Sequence, residues 1–168
     1  MEQQFKFLFI ESEKCNGCRI CELRCSFFHE GVYSPTLSRI HVVKWELDGI
    51  DVPVACRQCV DAPCIRVCPT DAITKSAKTG AIQIDESKCI GCKMCVVACP
   101  FGAMMMHPKL NIAMTCDLCD GDPQCAKYCP ENAIHYMTPK EFADYRRKEK
   151  ARKVAGKVEK RSAIPQVD

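Results

Sequence analysis

Cysteine is the residue type in this chain whose number and spacing could do chemistry. The 168 residues contain 16 cysteines, which form four groups of four with none left over. In two groups, successive cysteines are separated by two, two and three residues: Cys15, Cys18, Cys21, Cys25 and Cys89, Cys92, Cys95, Cys99. The other two groups widen only the middle separation, to four or five residues: Cys56, Cys59, Cys64, Cys68 and Cys116, Cys119, Cys125, Cys129.

This spacing is typical of the ligands of [4Fe-4S] clusters. Three thiolates on one short loop can reach three iron corners of the same cube. The fourth cysteine is predicted to lie on a short helix that leaves the loop, so that it faces away and ligates the cluster of a partner motif. Three groups continue directly into a proline that would stop this helix: Pro69, Pro100 and Pro130.

Two other uses of cysteine fit the pattern less well. Disulfides suit small exported chains, but residues 1–10 lack the basic segment, apolar run and cleavage site of a signal peptide. A zinc site usually combines two separated Cys-x2-Cys pairs, whereas every group here supplies four closely spaced cysteines. A zinc-organised interaction module is the alternative from a different class.

The charge of the chain depends on what the cysteines bind. The formal net charge is +3 at pH 7 when the thiols are counted as neutral. A cubane with four thiolates carries about −2, so four [4Fe-4S] clusters would bring the total to roughly −5. Hydrophobic residues make up 47% of the chain, but this share includes the cysteines. We therefore expect a fold that depends on its metals, because ligation then contributes to folding.

Short strands and cysteine loops are predicted to alternate along the chain. Alternating residues at 5–9 predict a strand before the first group. Residues 39–47 and 50–55 are predicted strands joined by Asp48-Gly49, a strong hairpin signal. Two further hairpins and a last strand are predicted at 72–74 with 81–85, at 103–106 with 112–115, and at 133–137.

Residues 56–107 resemble the two-cluster bacterial ferredoxins. They run from a cysteine loop through Cys-Pro, a hairpin and a second cysteine loop to Cys-Pro-Phe-Gly-Ala. The first and fourth groups bracket this unit and resemble the two outer parts of a second ferredoxin. The resemblance implies an α+β fold of two nested [4Fe-4S] units with short β-hairpins, plus a C-terminal helical tail. The implied domains are an outer unit (1–55 and 108–137), an inserted unit (56–107) and a basic helical, partly disordered tail (138–168).

The nested arrangement over residues 5–137 is similar to the four-cluster electron-transfer subunits of molybdenum and tungsten oxidoreductases and of some hydrogenases. This resemblance implies that all sixteen cysteines are cluster ligands, shared crosswise between the groups. The implied ligand sets are Cys15, Cys18, Cys21 with Cys129; Cys116, Cys119, Cys125 with Cys25; Cys56, Cys59, Cys64 with Cys99; and Cys89, Cys92, Cys95 with Cys68. The spacing alone also permits pairing of the first group with the second and of the third with the fourth.

A short segment after the first group carries a narrower resemblance. It reads Cys-Ser-Phe-Phe-His-Glu-Gly at 25–31 and continues to Ser-Pro at 34–35 and Ser-Arg-Ile at 38–40. It is similar to the small iron–sulfur subunits of tungsten aldehyde oxidoreductases and of tungsten-type aromatic acyl-CoA reductases. The resemblance implies a large tungsten- or molybdenum-containing catalytic partner and a second redox partner or acceptor subunit. Ser26 departs from the usual proline at its position, which loosens one helix stop.

No motif for making or breaking bonds is evident. Gly17 and Gly91 lie inside cysteine loops and not in a phosphate-binding loop. The four histidines share no period, and each is interpreted as a surface or packing residue: His29, His41, His107 and His135. We expect no catalytic residue and an electron-transfer function. The alternatives are a stand-alone polyferredoxin and a hydrogenase or formate dehydrogenase electron-transfer subunit.

The tail from residue 138 onward is the basic part of the chain, with 10 Lys and Arg against 5 Asp and Glu. Thr138-Pro139-Lys140-Glu141 is a capping box that predicts a helix beginning at Pro139. Three interpretations of this helix stay open: a solvated helix that frays after Ser162, docking onto a partner subunit, or contact with nucleic acid or an anionic membrane.

The partners expected from the whole chain include no nucleic acid and no inserted membrane segment. The fourth group lacks the long insert of many membrane-associated relatives, which argues against a membrane partner. No signal peptide and no apolar run of about 18 residues is present, which predicts a cytoplasmic location.

Overall fold

The computed structural model describes the backbone of residues 5–162 and the side chains of residues 5–155. Its helices are α1 (Ile20–Glu30), α2 (Pro63–Arg66), α3 (Met94–Ala98), α4 (Gln124–Lys127) and α5 (Pro139–Ser162). Its strands are β1 (Phe7–Ile10), β2 (Ile40–Trp45), β3 (Ile50–Ala55), β4 (Ile73–Lys75), β5 (Ile82–Ile84), β6 (Met105–Met106), β7 (Ala113–Met114) and β8 (Ile134–Met137). The predicted α+β class is therefore confirmed, while the predicted disordered end of the tail, residues 163–168, lies outside the described residues.

The strands form four two-stranded antiparallel sheets, β1–β8, β2–β3, β4–β5 and β6–β7. Three of these sheets are the predicted hairpins, although several strands are shorter than predicted. In the longest hairpin, Ile40 pairs with Ala55 and Trp45 pairs with Ile50. Gly49 in its turn has φ 65°, a conformation that glycine adopts without steric cost.

The β1–β8 sheet joins two segments that are far apart in sequence. Phe7 pairs with Met137, and Ile10 pairs with Ile134. The strand before the first cysteine group therefore lies beside the strand that follows the fourth group. This pairing brings the first and fourth groups together in space and leaves the second and third groups on the chain between them.

Helix α5 begins at the predicted capping box. Thr138 Oγ1 accepts a hydrogen bond from the Glu141 backbone N at 3.2 Å, and the Glu141 carboxylate accepts one from the Thr138 backbone N at 2.8 Å. The helix packs on β1 through Phe142, whose ring stacks on Phe9 with the centroids 3.9 Å apart. The start of the tail is thus an ordered part of the fold.

Glu11 is the polar anchor of α5. Its carboxylate accepts hydrogen bonds from Tyr145 Oη at 2.6 Å and Arg146 Nη1 at 3.0 Å, and His135 Nε2 lies 2.8 Å away. Burial alone would raise the pKa of Glu11, but hydrogen bonds from Tyr145, Lys14 and His135 outweigh it and lower the pKa to about 2. The ionised carboxylate therefore holds the helix against the body of the protein.

Replacing Glu11 with glutamine is expected to loosen α5, because hydrogen bonds to a charged partner are worth about 1.5–3 kcal/mol and those to a neutral amide are worth less. Limited proteolysis should show faster cleavage within α5. The control is Glu13→Gln, which removes an acid that is 80% exposed and pairs with Lys153 at the surface. Equal cleavage in the two variants would contradict the anchoring role.

The anchoring by Glu11 is also expected to depend on pH. Because the pKa of Glu11 in the folded protein is below the ordinary 4.5, the stabilisation is complete above pH 4.5 and is lost as the pH falls toward 2.

The short helices end earlier than predicted. The fourth cysteine of each group was expected on the helix that leaves its loop, and this holds for Cys25 in α1. The expectation is wrong for the other three, which follow the last helical residue by one or two positions: Cys68, Cys99 and Cys129. A proline disfavours helical geometry in the residue before it, and Cys99, which precedes Pro100, has φ −79° and ψ 110°.

Ser26 explains why α1 is longer than the equivalent helices. No proline follows Cys25, and the helix continues to Glu30. The Ser26 side chain is fully buried, donates to the Leu23 carbonyl at 3.1 Å and accepts from the Ser34 backbone N at 3.0 Å. The departure from the usual proline therefore extends α1 and ties it to the loop that follows.

Two small hydrophobic cores hold the elements together. The first contains cysteines of the first and fourth groups packed with Leu8, Ile40 and Leu118. The second contains cysteines of the second and third groups packed with Ile73 and Ile82. Much of each core consists of cysteine side chains, so few purely apolar side chains hold the protein together.

Candidate metal centres

Twelve cysteines line three cavities, with four cysteines at each cavity. In every case three belong to one group and the fourth belongs to another. We call these cavities site A (Cys15, Cys18, Cys21, Cys129), site C (Cys56, Cys59, Cys64, Cys99) and site D (Cys68, Cys89, Cys92, Cys95).

The remaining four cysteines are near neighbours of one another, and we call them site B: Cys25, Cys116, Cys119 and Cys125. They are only 5–7% exposed. Burial, with a smaller contribution from the nearby Cys25, raises the pKa of Cys119 to about 12. Burial and the neighbouring Cys119 and Cys25 raise the pKa of Cys125 as well. The structure thus brings the cysteines together in the four sets that the resemblance implies.

All four cysteine loops turn in the same way. The residue two positions after the first cysteine has a left-handed backbone in each loop: Gly17 (φ 67°), Gln58 (φ 50°), Gly91 (φ 69°) and Leu118 (φ 62°). Turns of this kind direct successive backbone N–H groups into the loop. The two loops with the widened spacing use residues other than glycine, at a cost of about 1–2 kcal/mol each. The shared conformation indicates one kind of site with three loop lengths.

Gln58 offsets part of that cost with buried hydrogen bonds. Its side chain is among the buried polar groups, and its Nε2 donates to the Cys116 carbonyl at 2.7 Å. Its Oε1 accepts from the Ile82 backbone N, also at 2.7 Å. Gln58 therefore fixes the loop of site C to the loop of site B.

Replacing Gly91 with alanine is expected to remove the cluster of site D. The added Cβ would lie 2.3 Å from the Asn111 carbonyl oxygen, a backbone atom that cannot easily move. The control is Gly102→Ala, because Gly102 has a similar φ of +62° but nothing within 4 Å of the added Cβ. Iron analysis should show about four fewer irons per chain in the first variant only. The same iron content in both variants would contradict this expectation.

Backbone N–H groups donate to cysteine sulfurs at all four sites. At site C the Gln58 backbone N–H bonds Cys56. The pairs at the other sites include Gly17 with Cys15 (3.4 Å), Arg39 with Cys25 (3.2 Å), Ala113 with Cys89 (3.4 Å) and Ala133 with Cys129 (3.3 Å). Donors of this kind stabilise a thiolate that is bound to a metal and fix its orientation.

His29 was interpreted as a surface or packing residue, and the structure gives it a more specific place. Its side chain is 8% exposed, and its Nε2 lies 3.6 Å from Cys119 Sγ and 3.4 Å from Asp117 Oδ1. Burial, together with the positive charge of Arg39, lowers the pKa of His29. The sequence holds no signal for this contact, because the two residues are 90 positions apart.

The sites follow one another in the order A, B, C, D. Burial is the main cause that raises the pKa of Cys125 and Cys116 at site B. Cys21 of site A also raises the pKa of Cys125, and Cys56 of site C also raises the pKa of Cys116, so both sites neighbour site B. Sites C and D share the second core. Cys18 of site A and Cys92 of site D are exposed, so both ends of the row reach the surface.

The residues at these sites fit [4Fe-4S] clusters. Each site presents four thiols, and none of the sixteen cysteines forms a disulfide. Burial raises the pKa of Cys21 to about 12 and that of Cys64 to about 11. Such thiols need a positively charged metal beside them to become thiolates. Bound clusters would supply one-electron redox chemistry, while the cysteines hold them and the loop N–H groups stabilise their sulfurs.

Comparison with protein families agrees with this chemistry. Residues 47–139 match the model of the 4Fe-4S dicluster domain. The chain therefore belongs to the 4Fe-4S dicluster domain family, which favours iron–sulfur clusters over the zinc alternative. It is an iron–sulfur electron-transfer protein and not a catalytic subunit.

Its relatives include proteins named for electron transfer. The polyferredoxin-like subunit of an aliphatic sulfonate oxidoreductase from Pyrococcus furiosus is 43% identical over 129 residues, which cover 77% of this chain and 74% of that protein. Electron transport protein HydN from Escherichia coli is 38% identical over 156 residues, which cover 77% of this chain and 86% of HydN. The solved active site complex BamBC of benzoyl coenzyme A reductase contains a chain with 30% identity and a TM-score of 0.49, over 79% of this chain and 76% of that one.

The helices described between residues 5 and 162 were also considered for membrane insertion. None of them combines the length and the apolar character that crossing a bilayer requires.

Proposed function

We propose that this protein carries four [4Fe-4S] clusters, one at each of sites A to D, and relays electrons between a catalytic oxidoreductase subunit and a second redox partner or acceptor. The observation that supports this most strongly is the row of four-cysteine sites with an exposed cysteine at each end, Cys18 and Cys92. The chain's own residues hold the clusters, exclude water from site B and direct N–H groups at the sulfurs. Electrons enter at one end of the row and leave at the other.

The organisation that we propose is two nested ferredoxin-like units with a tail. The outer unit comprises residues 1–55 and 108–137, the inserted unit residues 56–107, and the tail residues 138–168. The β1–β8 pairing supports this division, because it closes the outer unit around the inserted one. The two hydrophobic cores support it as well, since each contains cysteines of mainly one unit.

The catalytic partner that we propose is a large tungsten- or molybdenum-containing subunit of the aldehyde oxidoreductase type, acting in the cytoplasm. The segment at residues 25–31 supports this choice by its resemblance to the small subunits of such enzymes. A relative that is itself named as a subunit of an oxidoreductase supports a partner of the oxidoreductase class.

The native complex tests both parts of the proposal. It would be purified anaerobically from its host through a tag on this chain, analysed for tungsten and molybdenum, and treated with acetaldehyde while the electron paramagnetic resonance of reduced [4Fe-4S] clusters is recorded. We expect one of the two metals in the large subunit and new cluster signals after the aldehyde is added. Aldehyde oxidation without any change in these signals would contradict the relay. A complex without either metal would contradict the proposed partner.

A further inference from the structure

A network of charged side chains lies beside site B. Asp117 is the centre of this network: its Oδ2 accepts from Arg39 Nη1 at 2.6 Å, and its Oδ1 accepts from the Cys119 backbone N at 2.9 Å. His29 Nε2 lies 3.4 Å from the same Oδ1 and 3.6 Å from Cys119 Sγ. The Arg39 backbone N donates to Cys25 Sγ. Two sulfurs of site B therefore have donors that belong to one connected set of residues.

The protonation of His29 follows from its neighbours. Nε2 lies beside a carboxylate oxygen and a cysteine sulfur. The carboxylate can only accept a hydrogen bond, and the same is true of the sulfur when it is a cluster-bound thiolate. Nε2 must therefore carry a hydrogen and donate it. Among residues 5–155, His29 is the only side chain whose nitrogen is within hydrogen-bonding distance of a cysteine sulfur.

A donor at this position has a definite electrostatic effect. Adding an electron makes a thiolate-ligated cluster more negative, and burial away from water opposes this change. Site B has the most complete burial of the four sites, since all four of its cysteines are 5–7% exposed. An N–H group aimed at one of the sulfurs favours the reduced state and so raises the reduction potential.

We propose that His29 is a positioning residue that raises the reduction potential of the cluster at site B, so that electrons can pass through the most buried site of the row. This inference rests on the proposed function. Asp117 holds the imidazole in place, and Arg39 compensates the charge of Asp117. One electron enters and one electron leaves, no bond forms or breaks, and His29 keeps its proton throughout.

Two substitutions separate the hydrogen bond from the bulk of the side chain. In His29→Gln the amide nitrogen can take the place of Nε2, whereas in His29→Asn the shorter side chain cannot reach Cys119. The matched control is His41→Asn, because His41 lies in the same unit but contacts Met105 Sδ at 3.0 Å and not a cysteine. All four proteins would be studied as the full chain with its clusters in place.

The measurement is a redox titration with chemical mediators, followed by electron paramagnetic resonance, with iron and zinc analysis of each sample. We expect His29→Asn to make the reduction of one cluster about tenfold less favourable, which is about 59 mV for one electron. His29→Gln and His41→Asn should stay close to the native protein in all four potentials.

Four unchanged potentials in His29→Asn, with the iron content intact, would overturn the proposal. A stoichiometric zinc ion that is present in the native chain and lost in His29→Asn would overturn it as well, because His29, Asp117 and Cys119 lie close enough to form a separate metal site. If His29→Asn loses iron, the comparison uses His29→Gln and the control His41→Asn. A cluster reduction potential that is shifted in His29→Gln but not in His41→Asn would overturn the claim that the amide replaces Nε2. Because mediators supply the electrons, none of these results depends on the catalytic partner.

Discussion

Replacing Cys25 with alanine is expected to remove the cluster of site B and to leave the cluster of site A in place. Cys21 and Cys25 lie one turn apart on α1, but we assign them to different sites. Cys21 lines the cavity of site A, whereas Cys25 is a neighbour of Cys116, Cys119 and Cys125 and helps to raise the pKa of each. Alanine would leave one iron of site B without its thiolate, inside a part of the protein from which water is excluded. The expected loss is about four irons per chain.

A double variant distinguishes this assignment from the simpler one in which the first group holds its own cluster. Cys18 lines site A, so Cys18→Ala alone should also remove about four irons. If Cys25 belongs to site B, the double variant Cys18→Ala/Cys25→Ala should lose about eight irons, because two sites are damaged. If both cysteines served one cluster, the double variant would lose no more iron than either single variant, and the crosswise assignment would be wrong.

Removing the iron is expected to unfold the body of the protein. The strands are two to six residues long, and α2, α3 and α4 have four or five residues, so none of these elements is stable by itself. The two cores contain many cysteine thiols, which would face one another without a metal between them. For comparison, ligation of structural metals supplies about 10–16 kcal/mol in small zinc domains.

The unfolding can be followed by the dispersion of amide proton resonances. Oxidative destruction of the clusters followed by chelation should collapse the dispersed resonances, and anaerobic addition of iron and sulfide should restore them. The matched control is chelator without oxidant, which should leave the spectrum unchanged while the clusters are intact. A dispersed spectrum in iron-free protein would show that the apolar cores suffice, and would contradict the dependence on metal.

Local signals in the sequence predicted the elements that depend on neighbouring residues. The Asp48-Gly49 pair gave the position of the longest hairpin, and Thr138 with Glu141 gave the first residue of α5. The cysteine spacing predicted the class of site, because the ligands of one cube must follow one another closely on the chain. The family match over residues 47–139 confirms the iron–sulfur class.

Features that depend on tertiary contacts could not be predicted in this way. Gln58 adopts a left-handed backbone where two of the equivalent loops have glycine, and the hydrogen bonds that offset its cost involve Cys116 and Ile82, far along the chain. The contact between His29 and Cys119 spans 90 positions and follows no period. The prediction that Cys68, Cys99 and Cys129 lie on the short helices was wrong, because a proline disfavours helical geometry in the residue before it and the helices end earlier.

The number of [4Fe-4S] clusters in the chain, which we propose to be four, can be counted directly. Anaerobically purified protein, quantified by amino-acid analysis, would be assayed for iron and acid-labile sulfide and examined by Mössbauer spectroscopy. We expect about sixteen irons and about sixteen sulfides per chain, all in cubane clusters. About eight of each would mean that only two sites are filled, and zinc in place of iron would show that the sites do not hold [4Fe-4S] clusters.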